Sequence, residues 1–150
     1  MTTKHAVNIF LKNKSIAVVG VSRDKKKFGY IAYKNLKDKG YKVFPVNPNA
    51  DSVDSYKCYP NLSSISGAFD GVLLVVPPKQ SEAVVREAHQ LGVKSIWFQQ
   101  GSSSEEAINF CEENNISVVS GECIMMFTEP VESFHKFHRW IWKLFGKLPK

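Results

Sequence analysis

Residues 15–40, SIAVVGVSRDKKKFGYIAYKNLKDKG, decide the fold. Their opening run, Ile16-Ala17-Val18-Val19, is too short for a helix and rich in β-branching, the mark of a strand buried on both faces. The run breaks at Gly20. From Gly20 to Gly29 the chain is polar and carries Ser22, Arg23, Lys25, Lys26 and Lys27; beyond it Tyr30, Ala32, Tyr33 and Leu36 recur at helical spacing until Gly40. Strand, glycine turn, basic loop and helix start together form an anion site, because free backbone N–H groups and the positive end of the helix dipole converge there.

A dinucleotide fingerprint has three glycines as G-x-G-x-x-G and, about 20 positions on, an acidic residue that binds a ribose diol. Here Gly20 is followed by Val21-Ser22, the second strand ends at Val46-Asn47-Pro48, and the next carboxylate is Asp51. The Gly-Lys pair of a P-loop is missing as well. These residues point to a phosphate-bearing ligand, disfavour NAD, and suit a ligand with more than one phosphate. A lysine-rich loop is equally compatible with a solvated tip, so charge alone does not decide the role of residues 25–27.

Outward from this stretch, residues 4–12 read as a short helix with Val7, Phe10 and Leu11 on its apolar face. Residues 41–46 are the second strand, and Pro45 marks one of its edges as lightly paired. Residues 50–66 are polar and irregular, with a single turn around 62–65. Residues 70–76, DGVLLVV, form another continuous apolar strand, stopped by Pro77-Pro78. Residues 80–91 carry Ala83, Val84, Ala88 and Leu91 at helical spacing and close at Gly92; residues 94–98 are the fourth strand. After Gln99-Gln100-Gly101, three serines at 102–104 cap a helix whose first turn holds Glu105 and Glu106, and residues 116–119 are the fifth strand.

Alternating strands and helices with nearly all-apolar strands predict an α/β fold, a doubly wound five-stranded parallel sheet with helices on both faces. Ligands in such folds bind beyond the carboxyl ends of the strands. The polar candidates fall there: Gly20 and Ser22, Asn47 and Pro48, Pro77 and Pro78, Gln99 and Gly101, Glu122 and Cys123.

The chain of 150 residues is one domain's worth, with 43% hydrophobic and 23% charged residues, values ordinary for a globular protein. Its net charge of +6 is spread along the chain without a long basic block, so an anionic small ligand explains it and nucleic acid is not expected. No apolar run reaches signal-peptide or membrane-span length, and Cys58, Cys111 and Cys123 show neither disulfide-scaffold nor zinc-site spacing. A reducing cytoplasm is the expected compartment.

Together VVGVS with its basic loop, GYKVFPVNP, DGVLLVVPP, SIWFQQG and VVSGECIMM resemble the small stand-alone CoA-binding proteins. Their Rossmann-like fold is also the CoA-binding domain of the succinyl-CoA ligase alpha subunit and of ADP-forming acetate-CoA ligases. The likeness runs over residues 15–126. It implies coenzyme A or a short acyl-CoA as ligand, with Gly20, Val21, Ser22 and Arg23 against the pyrophosphate and Lys25, Lys26 and Lys27 near the phosphates. It further implies Asn47 and Pro48 near the adenosine, Val76 and Pro77 along the pantetheine, and Gln99, Gly101 and Cys123 around the reactive end. The ligases carry a phosphorylated histidine in a further domain; His5, His89, His135 and His138 do not match that context, so ligase activity is not implied.

Three readings remain open. The first is a CoA-binding module without turnover. The second is an enzyme, either an NAD(P)-dependent oxidoreductase or an acyl transferase using Cys123, although no base is placed to activate that thiol and a small buried role suits it as well. The third is an interaction protein acting through residues 129–145, where Phe134, Phe137, Ile141 and Leu144 form an amphipathic helical stripe widened by Trp140, Trp142 and Phe145. That stripe suits packing on the sheet, a homodimer or protein partner; a membrane surface suits it least.

Overall fold

The computed structural model describes residues 3–127, and the predicted C-terminal helix at 130–145 lies outside them. The helix α1 (Lys4–Leu11), capped by the Thr3 hydroxyl, precedes β1 (Ser15–Val19). The helix α2 (Phe28–Asp38) leads to β2 (Lys42–Val46); β5 (Gly71–Leu74), α3 (Pro78–Gln90), β6 (Ser95–Phe98), α4 (Glu105–Glu113) and β7 (Ser117–Val119) complete the main layer structure. Between β2 and β5 lie a small hairpin of β3 (Ser52–Val53) and β4 (Tyr56–Lys57) and a 3-10 turn at Leu62–Ser64.

The five main strands are all parallel, in the order β2-β1-β5-β6-β7. Strand direction alternates side chains between two cores. Ile16, Val18, Leu73, Trp97 and Val119 face α1 and α2, whereas Ala17, Val19, Val72, Leu74, Ile96 and Phe98 face the side of α3 and α4. Both faces are therefore covered, as continuous apolar strands require. The Phe10 ring packs edge-on against Trp97 with centroids 5.3 Å apart, which fastens α1 over the sheet.

The edge reading of Pro45 holds. The strand β2 is the outermost of the sheet, and the Pro45 carbonyl points outward to accept the Tyr59 N–H at 2.9 Å. The proline nitrogen shares that outward side, so no ladder bond is lost. The irregular reading of residues 50–66 with one turn near 62–65 holds, but it lacked the small hairpin, and Pro78 differs from its reading. The β2-to-β5 crossover contains no α-helix: Asp54 and Ser55 both adopt positive φ, 50° and 68°, and make a two-residue hairpin turn where no helical periodicity competes. Pro78 does not merely end a strand but opens α3, because a proline in the first helical position loses no hydrogen bond.

Candidate functional site at the carboxyl ends of the strands

Strand order reverses direction between β1 and β5, the place beyond which ligands bind in folds of this kind. Gly20 sits at this point with φ +103, and a Cβ on it would collide with the Val75 carbonyl oxygen. A Cβ on Gly29, in the first turn of α2, would in turn collide with the Gly20 carbonyl oxygen. Two glycines thus let the β1 end, the β5 end and the start of α2 close on one another. The Gly20 N–H donates to the Val46 carbonyl at 3.0 Å. From below, Asn47 holds the loop: its Nδ2 donates to the Val21 carbonyl at 2.7 Å, and its Oδ1 accepts the Asn49 N–H at 2.8 Å.

The loop itself is ordered by short polar links. The Ser22 hydroxyl accepts the Asp24 N–H at 3.0 Å, and Asp24 Oδ1 accepts the Lys26 N–H at 2.9 Å. Arg23, Lys26 and Lys27 are exposed and have no ion-pair partner among the described residues. Lys25 leans the other way: its ammonium lies 3.7 Å from Asp54 on the hairpin and 5.9 Å from the centre of the Tyr30 ring. Tyr30 donates its hydroxyl to the same Asp54 at 2.6 Å, and this hydrogen bond raises the phenol above its ordinary value.

The helix starts differ in kind. The amino ends of α1 and α4 are closed by side chains, Thr3 onto the Ala6 N–H and Ser104 onto the Ala107 N–H, each at 3.1 Å. Those of α2 and α3, which flank the switch point, have Lys27 and Pro77 at the cap and no side-chain cap. In α2 the first-turn N–H groups and the positive dipole end remain available to an anion. In α3 the first residue, Pro78, has no N–H and the Gln80 N–H donates to the Pro77 carbonyl at 2.9 Å, so that helix offers mainly its dipole end.

The far side of the rim is built from side chains. The Val76 N–H donates to the Ser102 hydroxyl at 3.2 Å, and the buried Ser81 hydroxyl donates to the Ser102 carbonyl, tying the β5 exit to the β6 exit. Gln99 is buried and its Oε1 accepts the Ile124 N–H at 3.0 Å; Gln100 Nε2 donates to the Gly121 carbonyl at 3.3 Å. Trp97 Nε1 donates to the Glu122 carbonyl at 3.0 Å. Gly101 takes the left-handed conformation at φ +83. Cys123 is buried in the α1–α2 core beside Ile124, Met125 and Met126. Glu122 is buried, and that burial pushes its carboxyl up from 4.5 to about 7. Among the described residues, no group of three or more His, Cys, Asp or Glu is placed to hold a metal.

A family profile described as a CoA binding domain matches residues 14–129. The chain belongs to that CoA binding domain family. Acetate–CoA ligase (ADP-forming) II of Archaeoglobus fulgidus is 40% identical over 95 residues, 62% of this chain and 14% of the ligase. The protein YneT of Bacillus subtilis is 32% identical over 116 residues, 77% of this chain and 86% of YneT. The solved structure of a conserved hypothetical protein from Pyrococcus furiosus superposes with a TM-score of 0.71 at 40% identity, covering 74% of this chain and 96% of that one. The chain spans 14% to 28% of the length of three acetate–CoA ligase relatives.

Within this CoA binding domain the expected residues follow the carboxyl ends of the five strands along the chain, from Asn47 after β2 to the segment after β7, but Cys123 itself is buried in the α1–α2 core. Sequence reasoning missed Gly29, which read only as a loop boundary, and the Ser81–Ser102 link. It also took all three serines at 102–104 as a cap, whereas Ser104 alone caps α4 through its side chain and Ser102 joins two strand exits. No local signal separates these serines; the difference lies in what packs opposite.

Proposed function

We propose that this chain, as a single CoA-binding domain, binds coenzyme A or a short acyl-CoA without turning it over. One observation carries the reading: the two helices without side-chain caps, α2 and α3, flank the glycine-bounded switch point beneath Arg23, Lys25, Lys26 and Lys27. The open N–H groups of α2 and the dipole ends of both helices, under exposed cations, suit a pyrophosphate and a further phosphate. In this reading Gly20, Val21 and Ser22 lie against the pyrophosphate, with Asn47 and Pro48 toward the adenosine. Val76 and Pro77 follow the arm, and Gln99, Gly101 and Cys123 surround its sulfur end. The lack of a carboxylate at the end of β2 removes the usual partner of the NAD ribose and the repulsion that a ribose phosphate would meet.

Burial of Cys123 in the core favours a packing role for its sulfur over a nucleophilic one. Ligase chemistry is left with the much longer relatives. Calorimetric titration with coenzyme A, dephospho-CoA, NAD and NADP at one modest salt concentration tests the proposal. Micromolar binding of coenzyme A that weakens without the 3′-phosphate is the expected result. Binding of a nicotinamide cofactor alone would overturn the ligand assignment.

A further inference from the structure

The side of the rim away from the basic loop contains a buried carboxyl oxygen with no hydrogen-bond partner among the described residues. Glu122 follows Gly121, whose φ is +76, in the segment after β7. It is only 7% exposed, and its Oε2 has no hydrogen-bond partner among the described residues. Buried polar oxygens are nearly always paired, so this one calls for a partner. The backbone around it is clamped from β6: Gln100 holds the Gly121 carbonyl, Trp97 holds the Glu122 carbonyl, and Gln99 holds the Ile124 N–H. Three side chains therefore fix the position of a residue whose own Oε2 they leave unpaired. A side chain that only filled space here would be apolar, as the neighbouring Ile124, Met125 and Met126 are. With burial raising the carboxyl to about 7, both the ionised and neutral forms are populated near neutral pH, and the ionised form demands a donor.

Resting on the coenzyme A reading above, we propose that Glu122 is a specificity-determining residue for the pantetheine arm of the ligand, its carboxylate accepting a hydrogen bond from an arm amide N–H. If the phosphates sit at the β1–β5 switch, β7 is two strands beyond β5, about 10 Å at ordinary strand spacing. The nucleotide half stays with the cations and the open helix ends, so the part of the ligand that extends toward β6 and β7 is the arm. Its amide groups are its strongest donors, and an amide N–H to a carboxylate is a charge-assisted bond that gains from the dry surroundings.

The test crosses two ligands with three proteins. Wild type, Glu122→Met and Glu122→Gln are titrated with coenzyme A and with 3′-phosphoadenosine 5′-diphosphate, which keeps the nucleotide phosphates but lacks the arm. In Glu122→Met the affinity for coenzyme A falls about tenfold or more, while the armless nucleotide binds as in wild type. Glu122→Gln keeps an acceptor oxygen and recovers part of the loss. Thermal unfolding at pH 8 verifies that both variants are folded; removing a buried acid should leave the midpoint unchanged or higher. An equal fall for both ligands, or no fall for either, overturns the proposal and leaves the coenzyme A reading standing. So does a wild type that binds the armless nucleotide as tightly as coenzyme A. A wild type that binds neither ligand defeats the coenzyme A reading, and this inference with it.

Discussion

The rim at β1 and β5 and the rim at β6 and β7 are built in opposite ways. In the first, glycines bring three segments together, α2 and α3 start without side-chain caps, cations stand exposed above them, and the side-chain links are short polar ones from Ser22, Asp24 and Asn47. The second is closed by side chains, with Trp97, Gln99, Gln100 and Ser102 each bonded to a neighbouring loop and a carboxyl buried among them. Under the coenzyme A proposal, the contrast separates the places suited to each kind of ligand group. A polyanion needs donors that are fixed in place yet not already used, which only backbone N–H groups in a glycine-bounded loop supply cheaply. An uncharged arm needs a shaped wall, and side chains with committed hydrogen bonds make one.

The harshest way to break the first region is Gly20→Val. A β-branched residue at φ +103 facing the Val75 carbonyl costs about 3–5 kcal/mol, read as a fall in the thermal midpoint with loss of ligand binding. Preserved stability would show that the β1–β5 closure is not needed.

The second region is probed through pH. Burial raises the Glu122 carboxyl from 4.5 in the unfolded chain to about 7 in the fold, so its protonated form is the one the fold tolerates. Its contribution is fully present below about pH 4.5 and is lost as the pH rises through 7, by at most about 3 kcal/mol. Wild type should therefore lose stability relative to Glu122→Gln between pH 5 and pH 8 in denaturant titrations. Parallel curves would mean that the carboxyl is solvated or paired in solution.

A finer cut separates binding from folding. Changing Lys25, Lys26 and Lys27 together to Glu should weaken coenzyme A about tenfold or more while leaving the thermal midpoint in place, because these side chains stand in solvent. Retained affinity would identify the cluster as a solvated loop tip. The smallest effect is expected at Asp54, which draws Lys25 toward the hairpin. Asp54→Asn keeps a residue type that tolerates φ +50, frees the ammonium, and should tighten coenzyme A about twofold at low salt. A weaker complex would instead make Asp54 a support of the loop.

Much of this was legible along the chain. Unbroken apolar runs at Ile16 and Gly71 announced strands buried on both faces, helical spacing announced α2 and α3, and Gly40 and Gly92 marked the helix ends, where the structure finds them left-handed at φ +96 and +82. The hairpin at Ser52–Lys57 escaped because its strands are two residues each, too short for any period, and because its turn uses Asp54-Ser55 rather than a glycine pair. Asn47 was placed at the right strand end, but its side chain is committed to the Val21 carbonyl, a partner 26 residues away that no local pattern names.

By itself, then, the sequence determined the element types, the parallel sheet, the basic glycine loop and the family, since periodicity, β-branching and turn chemistry act over a few neighbouring residues. Tertiary structure alone decided that β1 lies between β2 and β5, that Gly29 meets Gly20, and that Glu122 is buried. Strand order, close approach and burial depend on which distant segments share space, and that follows from packing the whole chain around its two cores.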